Sequence, residues 1–293
     1  MVLATLLFAC MNVCVKLASQ SASTGEVVFF RGGIGALLTG LMAWRAGMSL
    51  RTNQPMLHFK RGASGVTALA MSFFALSALP LATAVTLNYM SSVWMAVFLL
   101  LNLLWQRTRH KAASTIPLPM LLAVAAGFIG VTLVLRPTFE RDLWLPGLVG
   151  LCSGMLSAVA YFQVASLGRT GEPEVRVVFY FSLFGAASGL LIGAFEILRR
   201  HEPWTQPTMS TLMALMGAGI FATLAQVCLT RAYARGNALA MACLQYLGIV
   251  HAFLFGVLLF DDPIHASSLI GMPMIILAGM AATWSQAKFK SKA

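Results

Sequence analysis

Charged residues are scarce in this chain. Asp, Glu, Lys and Arg make up 10% of its 293 residues, whereas about 25% is usual for a soluble domain. Hydrophobic residues make up 59% of the sequence. This composition excludes a water-soluble core and indicates a protein that crosses a membrane several times.

Several chemical motifs are missing as well. The five cysteines lie in apolar segments and form no CxxC pair, so a metal or dithiol site is not expected. The sequence has no phosphate-binding loop of the Walker type, which argues against ATP as the energy source. No nucleophile, base and orienting group can be combined into a hydrolase site. We therefore expect no enzyme activity, no metal and no cofactor.

Apolar segments of about 20 residues, the length that spans a bilayer, recur along the whole chain. The loops between them are short, and none resembles a separate soluble domain. The sequence therefore predicts an all-α membrane protein with ten transmembrane helices. The predicted spans are 1–19, 26–45, 62–80, 83–105, 116–136, 145–166, 175–198, 208–232, 237–260 and 266–287.

Lys and Arg lie mainly on one side of these spans. Because loops rich in Lys and Arg stay in the cytoplasm, that side is predicted to be cytoplasmic, with both termini, in the cell's inner membrane. The net charge of +11 follows this topology and forms no patch, so nucleic acid is not an expected partner. The residues on the basic side are Arg45, Arg51, Lys60, Arg61, Arg107, Arg109, Lys111, Arg169, Arg176, Arg231, Arg235, Lys288, Lys290 and Lys292.

The second half of the sequence is similar to the first. VVFFRGGIGA at 27–36 matches VVFYFSLFGA at 177–186, which pairs Arg31 with Phe181. LNYMSSVWMAVFLLL at 87–101 matches LQYLGIVHAFLFGVLLF at 244–260, which pairs Asn88 with Gln245. Each half has five predicted spans, and an odd number gives the halves opposite orientations. Inverted repeats of this kind are typical of secondary transporters, whose substrate site lies between the halves near the midplane.

With these features, the chain resembles the EamA-type carriers of the drug/metabolite transporter superfamily. The resemblance covers nearly the whole chain. It rests on Arg31 in VVFFRGG, on ALPLATAVTLNY at 78–89 and on the counterpart RAYARGNALAMACLQYL at 231–247. It implies two five-helix repeats, 1–140 and 141–293, around a central cavity that opens to the two sides of the membrane in turn.

Two residues of the first span are candidates for this cavity. Asn12 and Lys16 are four residues apart, which places them on one face of a helix. Asn12 lies deep enough for a polar contact with a substrate. Lys16 lies about one turn from the outer end of the span, and it either faces the cavity or extends its amine to the outer interface.

Arg31 lies inside the second span and is followed by glycines. Because a cation at this depth is costly, it indicates a function. Arg31 either bonds backbone carbonyls and locks the outer half, or it anchors an anionic group of the substrate. We favour the first role, because the family often has Arg at this position across diverse substrates.

Polar and aromatic residues recur in the fourth and ninth spans. Such residues either join helices by hydrogen bonds or form a cavity wall that orients a substrate. Their pairing in the repeat favours the wall. The predicted substrate-binding residues of the fourth, sixth, eighth and ninth spans are Asn88, Tyr89, Ser92, Trp94, Tyr161, Gln226, Gln245 and Tyr246.

The titratable residues limit the chemistry. His251 is either a structural hydrogen-bonding group or, because histidine titrates near neutral pH, the candidate for proton coupling. No acid lies deep in a predicted span, since Glu26, Glu174 and Glu196 are all near ends. Carriers of organic cations and many proton antiporters need a buried carboxylate. We therefore expect no cationic substrate.

The predicted function is secondary transport of a small polar metabolite, either zwitterionic or anionic and amino-acid-like or a carboxylate. Export is the direction that the resemblance implies. An alternative is uptake or exchange of a larger aromatic, nucleotide-like or vitamin-like metabolite. A second alternative is a lipid-modifying enzyme at Asp261, Asp262 and His265, although a turn before Pro263 explains these residues more simply. Membrane lipid is an expected partner, and the chain is expected to be a monomer or a weak dimer.

Overall fold

The computed structural model describes residues 1–110, 122, 125–127, 129–134, 143–200, 207–235 and 244–290, and these are helical apart from short connections. Residues 125–127 and 129–134 belong to the predicted fifth span, most of which lies outside the described residues. The helices are α1 (Val2–Ala18), α2 (Thr24–Arg45), α3 (Pro55–Ala78), α4 (Leu81–Tyr89), α5 (Ser91–His110), α6 (Trp144–Arg169), α7 (Glu174–Arg200), α8 (Met209–Arg235), α9 (Leu247–Phe260) and α10 (Ala266–Lys290).

The helices have the composition of membrane spans. In the described residues, four segments are long and apolar enough to cross a bilayer: Thr24–Arg45, Trp144–Arg169, Glu174–Leu198 and Met209–Ala232. Large apolar side chains also cover the outside, with Trp44 76% and Leu191 72% exposed. Such a surface suits lipid and not water. The chain is a multi-pass membrane protein, as its composition predicts.

Two of the predicted spans in the first half differ from the observed helices. The third was predicted to begin at 62, but α3 begins at Pro55, because proline suits the first turn of a helix. Arg61 therefore lies inside a helix and not in a cytoplasmic loop. The fourth, predicted as 83–105, is two helices separated at Met90, whose N–H is shared between the carbonyls of Thr86 and Leu87.

The helices pack in pairs across the molecule, with α1 against α8, α3 against α6 and α2 against α7. Glycine allows the last pair to approach closely. A Cβ added to Gly32 would lie 2.6 Å from the carbonyl carbon of Gly185 and 2.7 Å from the carbonyl oxygen of Ser182. This contact brings Arg31 on α2 next to Phe181 on α7.

The cysteines are free where they are described. Cys10, Cys14 and Cys228 are half-buried, whereas Cys152 is exposed on α6 and Cys243 lies outside the described residues. Cys152 is therefore not a core residue. An exposed position on an apolar helix still suits this small hydrophobic residue, because its neighbour there is lipid.

Candidate substrate cavity

A cavity of about 110 Å³ lies in the centre of the bundle. Helices α1, α2, α3, α4, α6, α7 and α8 contribute to its wall, together with Gln245 just before α9. Of the predicted substrate-binding residues, seven line it: Asn12, Arg31, Asn88, Tyr89, Tyr161, Gln226 and Gln245.

Hydrogen bonds orient two of these amides. Asn88 Nδ2 donates to Ser153 Oγ at 3.3 Å and to Ser157 Oγ at 3.2 Å, which joins α4 to α6. Gln245 Nε2 donates to the hydroxyl of Tyr161, also on α6, at 3.2 Å. The two residues that the sequence alignment pairs thus both bind α6. Because an amide has further donor and acceptor capacity, each can still contact a ligand.

Two arginines and one aromatic ring form the charged part of the wall. The guanidinium carbon of Arg31 lies 5.3 Å from the centroid of the Phe181 ring, and that of Arg61 lies 4.1 Å from it. Both arginines are buried, with 4% and 7% exposure. The Nε atom of each is buried without a hydrogen-bond partner among the described residues.

Arg61 is a cavity residue that the sequence analysis missed, because the basic run Lys60–Arg61 was assigned to a loop. Spacing was the available signal. Arg61, Gly65 and Leu69 are four residues apart and lie on one face once α3 is extended to Pro55. The guanidinium of Arg61 lies directly over Gly65, where any side chain would collide with it.

Lys16 lies outside the cavity, at one end of the bundle. Its amine binds the Asp262 carboxylate, with nitrogen-to-oxygen distances of 2.9 and 3.2 Å, and lies 4.5 Å from the ring centroid of Phe260. Asp262 also accepts a hydrogen bond of 2.6 Å from the backbone N–H of Leu81, the first residue of α4. We name these contacts the Lys16 tie. Lys16 therefore does not line the cavity, and its amine extends to the end of the bundle, where it binds a carboxylate.

A second set of contacts, the Glu172 tie, lies at the opposite end of the bundle. Thr52 Oγ1 donates to Glu172 at 2.5 Å, and Arg176 donates both to Glu172 at 2.9 Å and to the Ser49 carbonyl at 2.6 Å. His58 Nε2 lies 3.6 Å from Glu172. Burial alone would raise the pKa of Glu172, but the hydrogen bonds from Thr52 and Arg176 lower it, so the carboxylate is charged at neutral pH.

Three further predicted residues, Trp94, Tyr246 and His251, also lie away from the cavity wall. Trp94 packs near Phe98, with ring centroids 6.3 Å apart. Tyr246 is buried, and its hydroxyl lies against Gly279 of α10. The Nδ1 atom of His251 is buried without a hydrogen-bond partner in the described part of the chain. The side chain of Ser92 is outside the described residues.

The residues considered for catalysis have structural roles. Asp262 belongs to the Lys16 tie, and Asp261 ends α9 with a φ of 49°, in the left-handed conformation of a helix-ending turn. Among the described residues, no three His, Cys, Asp or Glu side chains are grouped so as to hold a metal ion. This arrangement fits the turn that the sequence suggests at Pro263.

Comparisons with known proteins agree with this architecture. The model of the EamA-like transporter family matches residues 145–283. The pseudopaline exporter CntI of Pseudomonas aeruginosa is 30% identical over 283 residues, which cover 96% of this chain and 93% of that protein. The S-adenosylmethionine uptake transporter of Rickettsia bellii is 24% identical over 275 residues, covering 91% and 86%.

The fold also has a counterpart among solved structures. One crystal structure matches with a TM-score of 0.63 at 19% identity, covering 98% of this chain and 97% of the other. The structural match and the sequence similarity to CntI thus each cover nearly the whole chain. The chain belongs to the EamA-like transporter family.

Proposed function

We propose that the chain is a secondary carrier that moves a small polar metabolite across the inner membrane by alternating access, acting as a monomer or weak dimer. The substrate is zwitterionic or anionic, either amino-acid-like or a carboxylate. The observation that carries the proposal is the central cavity, whose wall combines two amides held by hydrogen bonds, Asn88 and Gln245, with the buried cations Arg31 and Arg61. No Asp or Glu is among the described residues of that wall.

The packing of the helices supports an inverted repeat of 1–140 and 141–293. Such a repeat pairs α1 with α6 and α3 with α8, so the contact of α1 with α8 has its counterpart in the contact of α3 with α6. The repeat also pairs α2 with α7, so exchanging the two halves leaves the contact between these helices in place. This symmetry is the one that the paired sequences at 27–36 and 177–186 require.

The two ties support alternating access. Each joins residues of the first half to residues of the second: Lys16 to Asp262 at one end, and Thr52 to Glu172 at the other. We infer that each tie restricts access to the cavity from its own end of the bundle. Opening to either side then requires one tie to break while the other holds, as in a rocking movement of the two halves.

We infer the topology of the chain from its basic loops and the direction of transport from its relatives. The Glu172 end has the basic loops, so we place it with both termini in the cytoplasm. CntI is named an exporter and the Rickettsia bellii relative an uptake transporter. We propose export, because the identity to CntI is higher.

A larger substrate with a flat ring is the second candidate. Tyr89, Tyr161 and Phe181 line the cavity and could stack on a ring, and the Rickettsia bellii relative is named for a nucleoside-containing compound. However, the cavity of about 110 Å³ is well below the roughly 300–1,000 Å³ of sites for drug-sized ligands. The smaller substrate therefore fits the structure better.

Replacing either amide tests the proposal. Asn88→Ala and Gln245→Ala should each lower transport about tenfold or more in vesicles supplied with a panel of amino and carboxylic acids, because a buried polar contact to the substrate is lost. Asn102→Ala is the matched control, since Asn102 is exposed on α5. If both cavity variants transport like the control, the cavity is not the substrate site.

A further inference from the structure

The described part of the cavity wall holds two like charges and no Asp or Glu. Arg31 and Arg61 come from different helices, yet both guanidinium groups lie against the ring of Phe181. Neither makes a hydrogen bond or an ion pair with another described residue, and the Nε atom of each is buried. Two buried cations repel each other, and an aromatic face offsets only part of the cost of removing each from water.

A structural lock would look different. An arginine that locks a helix bundle donates to backbone carbonyls or to a carboxylate, because its five N–H groups need acceptors when they are buried. The described residues around Arg31 and Arg61 provide neither. Both side chains instead form part of the cavity wall. An anion that enters the cavity would supply the acceptors that they lack.

The surrounding helices are shaped to hold this arrangement. Gly65 leaves the space that the Arg61 guanidinium occupies, and a Cβ there would also lie 3.0 Å from the Phe181 ring. Gly32 allows α2 to approach α7, which brings Arg31 to the same ring. The two cations are thus positioned by close helix contacts, as an anion-binding site requires.

We propose that Arg31 and Arg61 together bind an organic anion with two negative charges, one for each guanidinium, and that the substrate is a dicarboxylate. This inference rests on the proposed carrier function and restricts its substrate class. Because a guanidinium pairs with a carboxylate through two parallel hydrogen bonds, two carboxylates satisfy both arginines. A substrate with a single carboxylate leaves one buried arginine without an acceptor.

Binding to the purified full-length chain tests the site with matched probes. Malonate, succinate and glutarate vary the distance between the carboxylates, and the monoamide of each replaces one carboxylate without changing the length. We expect at least one diacid to bind about tenfold more tightly than its monoamide, which corresponds to one charged hydrogen-bonded contact. If no diacid binds more tightly than its monoamide, the proposal is wrong.

Variants locate the site. Arg61→Gln and Arg31→Gln should each reduce diacid binding about tenfold and abolish the preference over the monoamide. Gly65→Ala should do the same without removing a charge, because it displaces Arg61. Arg169→Gln is the control, since Arg169 is exposed at the end of α6. Retention of the preference in Arg61→Gln and Gly65→Ala, both checked for monodispersity, would contradict the proposal.

Transport measured on the same protein separates the two claims. If a diacid binds with the expected preference but no compound of the panel is transported, the two-arginine site stands and the carrier function fails. If amino acids or monoamides are transported as well as diacids, and Arg61→Gln transports normally, the carrier function stands and the dicarboxylate site fails.

Discussion

At the scale of single residues, the role of a buried charged side chain depends on the group that lies next to it. Lys16 and Arg31 are both cations in apolar helices, and their sequence contexts are similar. Lys16 has the Asp262 carboxylate at 2.9 Å and so holds two helices together. Among the described residues, an aromatic ring and a second arginine lie close to Arg31. Lys16 is satisfied within the chain, whereas in our proposal a ligand satisfies Arg31.

The prediction at the scale of single residues concerns His251. Its buried Nδ1 has no hydrogen-bond partner among the described residues. If His251 couples transport to protons, His251→Gln removes the pH dependence of transport between about pH 6 and 8. Initial rates in vesicles over this range measure it, with His265→Gln as the control at the Lys16 end. A pH profile like that of the wild type excludes His251 as the coupling group.

At the scale of helices, the contact between α2 and α7 positions the charged wall. Backbone meets backbone at Gly32, and Gly189 on α7 lies in the same way against Phe29 of α2. Van der Waals packing of this kind, and not a hydrophobic driving force, joins helices inside a membrane. The glycines after Arg31 are therefore part of how Arg31 reaches Phe181.

Adjacent glycines provide a matched test of this contact. Gly32→Ala places a Cβ 2.6 Å from the Gly185 carbonyl carbon and forces α2 away from α7, whereas a Cβ at Gly33 meets nothing within 4 Å. We expect Gly32→Ala to destabilise the protein by about 1–3 kcal/mol and Gly33→Ala to leave it unchanged or slightly more stable. Thermal unfolding in detergent measures the difference. Equal melting temperatures for the two variants would show that the helices are not in close contact.

At the scale of the whole molecule, the proposed halves meet through the cavity and through one tie at each end. The Lys16 tie connects α1, the start of α4 and the end of α9, and the Glu172 tie connects the 46–54 loop to the start of α7. Both ties are intact in the described conformation. Small changes at either tie should therefore shift which side the cavity opens to.

Opposite effects on access test the two ties. Asp262→Asn and Glu172→Gln each remove a charge but keep a hydrogen-bond acceptor. In a background without native cysteines, Ser72→Cys places a thiol on the cavity wall. With an impermeant thiol reagent outside the cell, Asp262→Asn should raise the labelling rate several-fold, and Glu172→Gln should lower it. If both variants change the labelling rate in the same direction, the two ties do not restrict access from opposite ends of the bundle.

Sequence patterns were most reliable for predicting helices and for identifying the positions that the internal repeat pairs. Apolar runs predicted the helices around α1, α2, α6, α7, α8 and α10 to within a few residues, because the length of a span is set by the bilayer. Asn88 and Gln245, found by internal similarity, both line the cavity. The prediction missed the break at Met90 and the early start of α3, because periodicity does not mark where a helix bends or begins within an apolar stretch.

The sequence by itself determined that this is a helical membrane protein, since composition and span length depend only on local residues, and its motifs indicated a transporter family by resemblance. Tertiary structure alone decided which cations are paired. Asp262 is 246 residues from Lys16 along the chain, yet they are bonded, while Arg61 next to the loop meets Arg31 at the centre. The free energy of a buried charge depends on what lies within a few ångströms of it in space, and no local pattern records that distance.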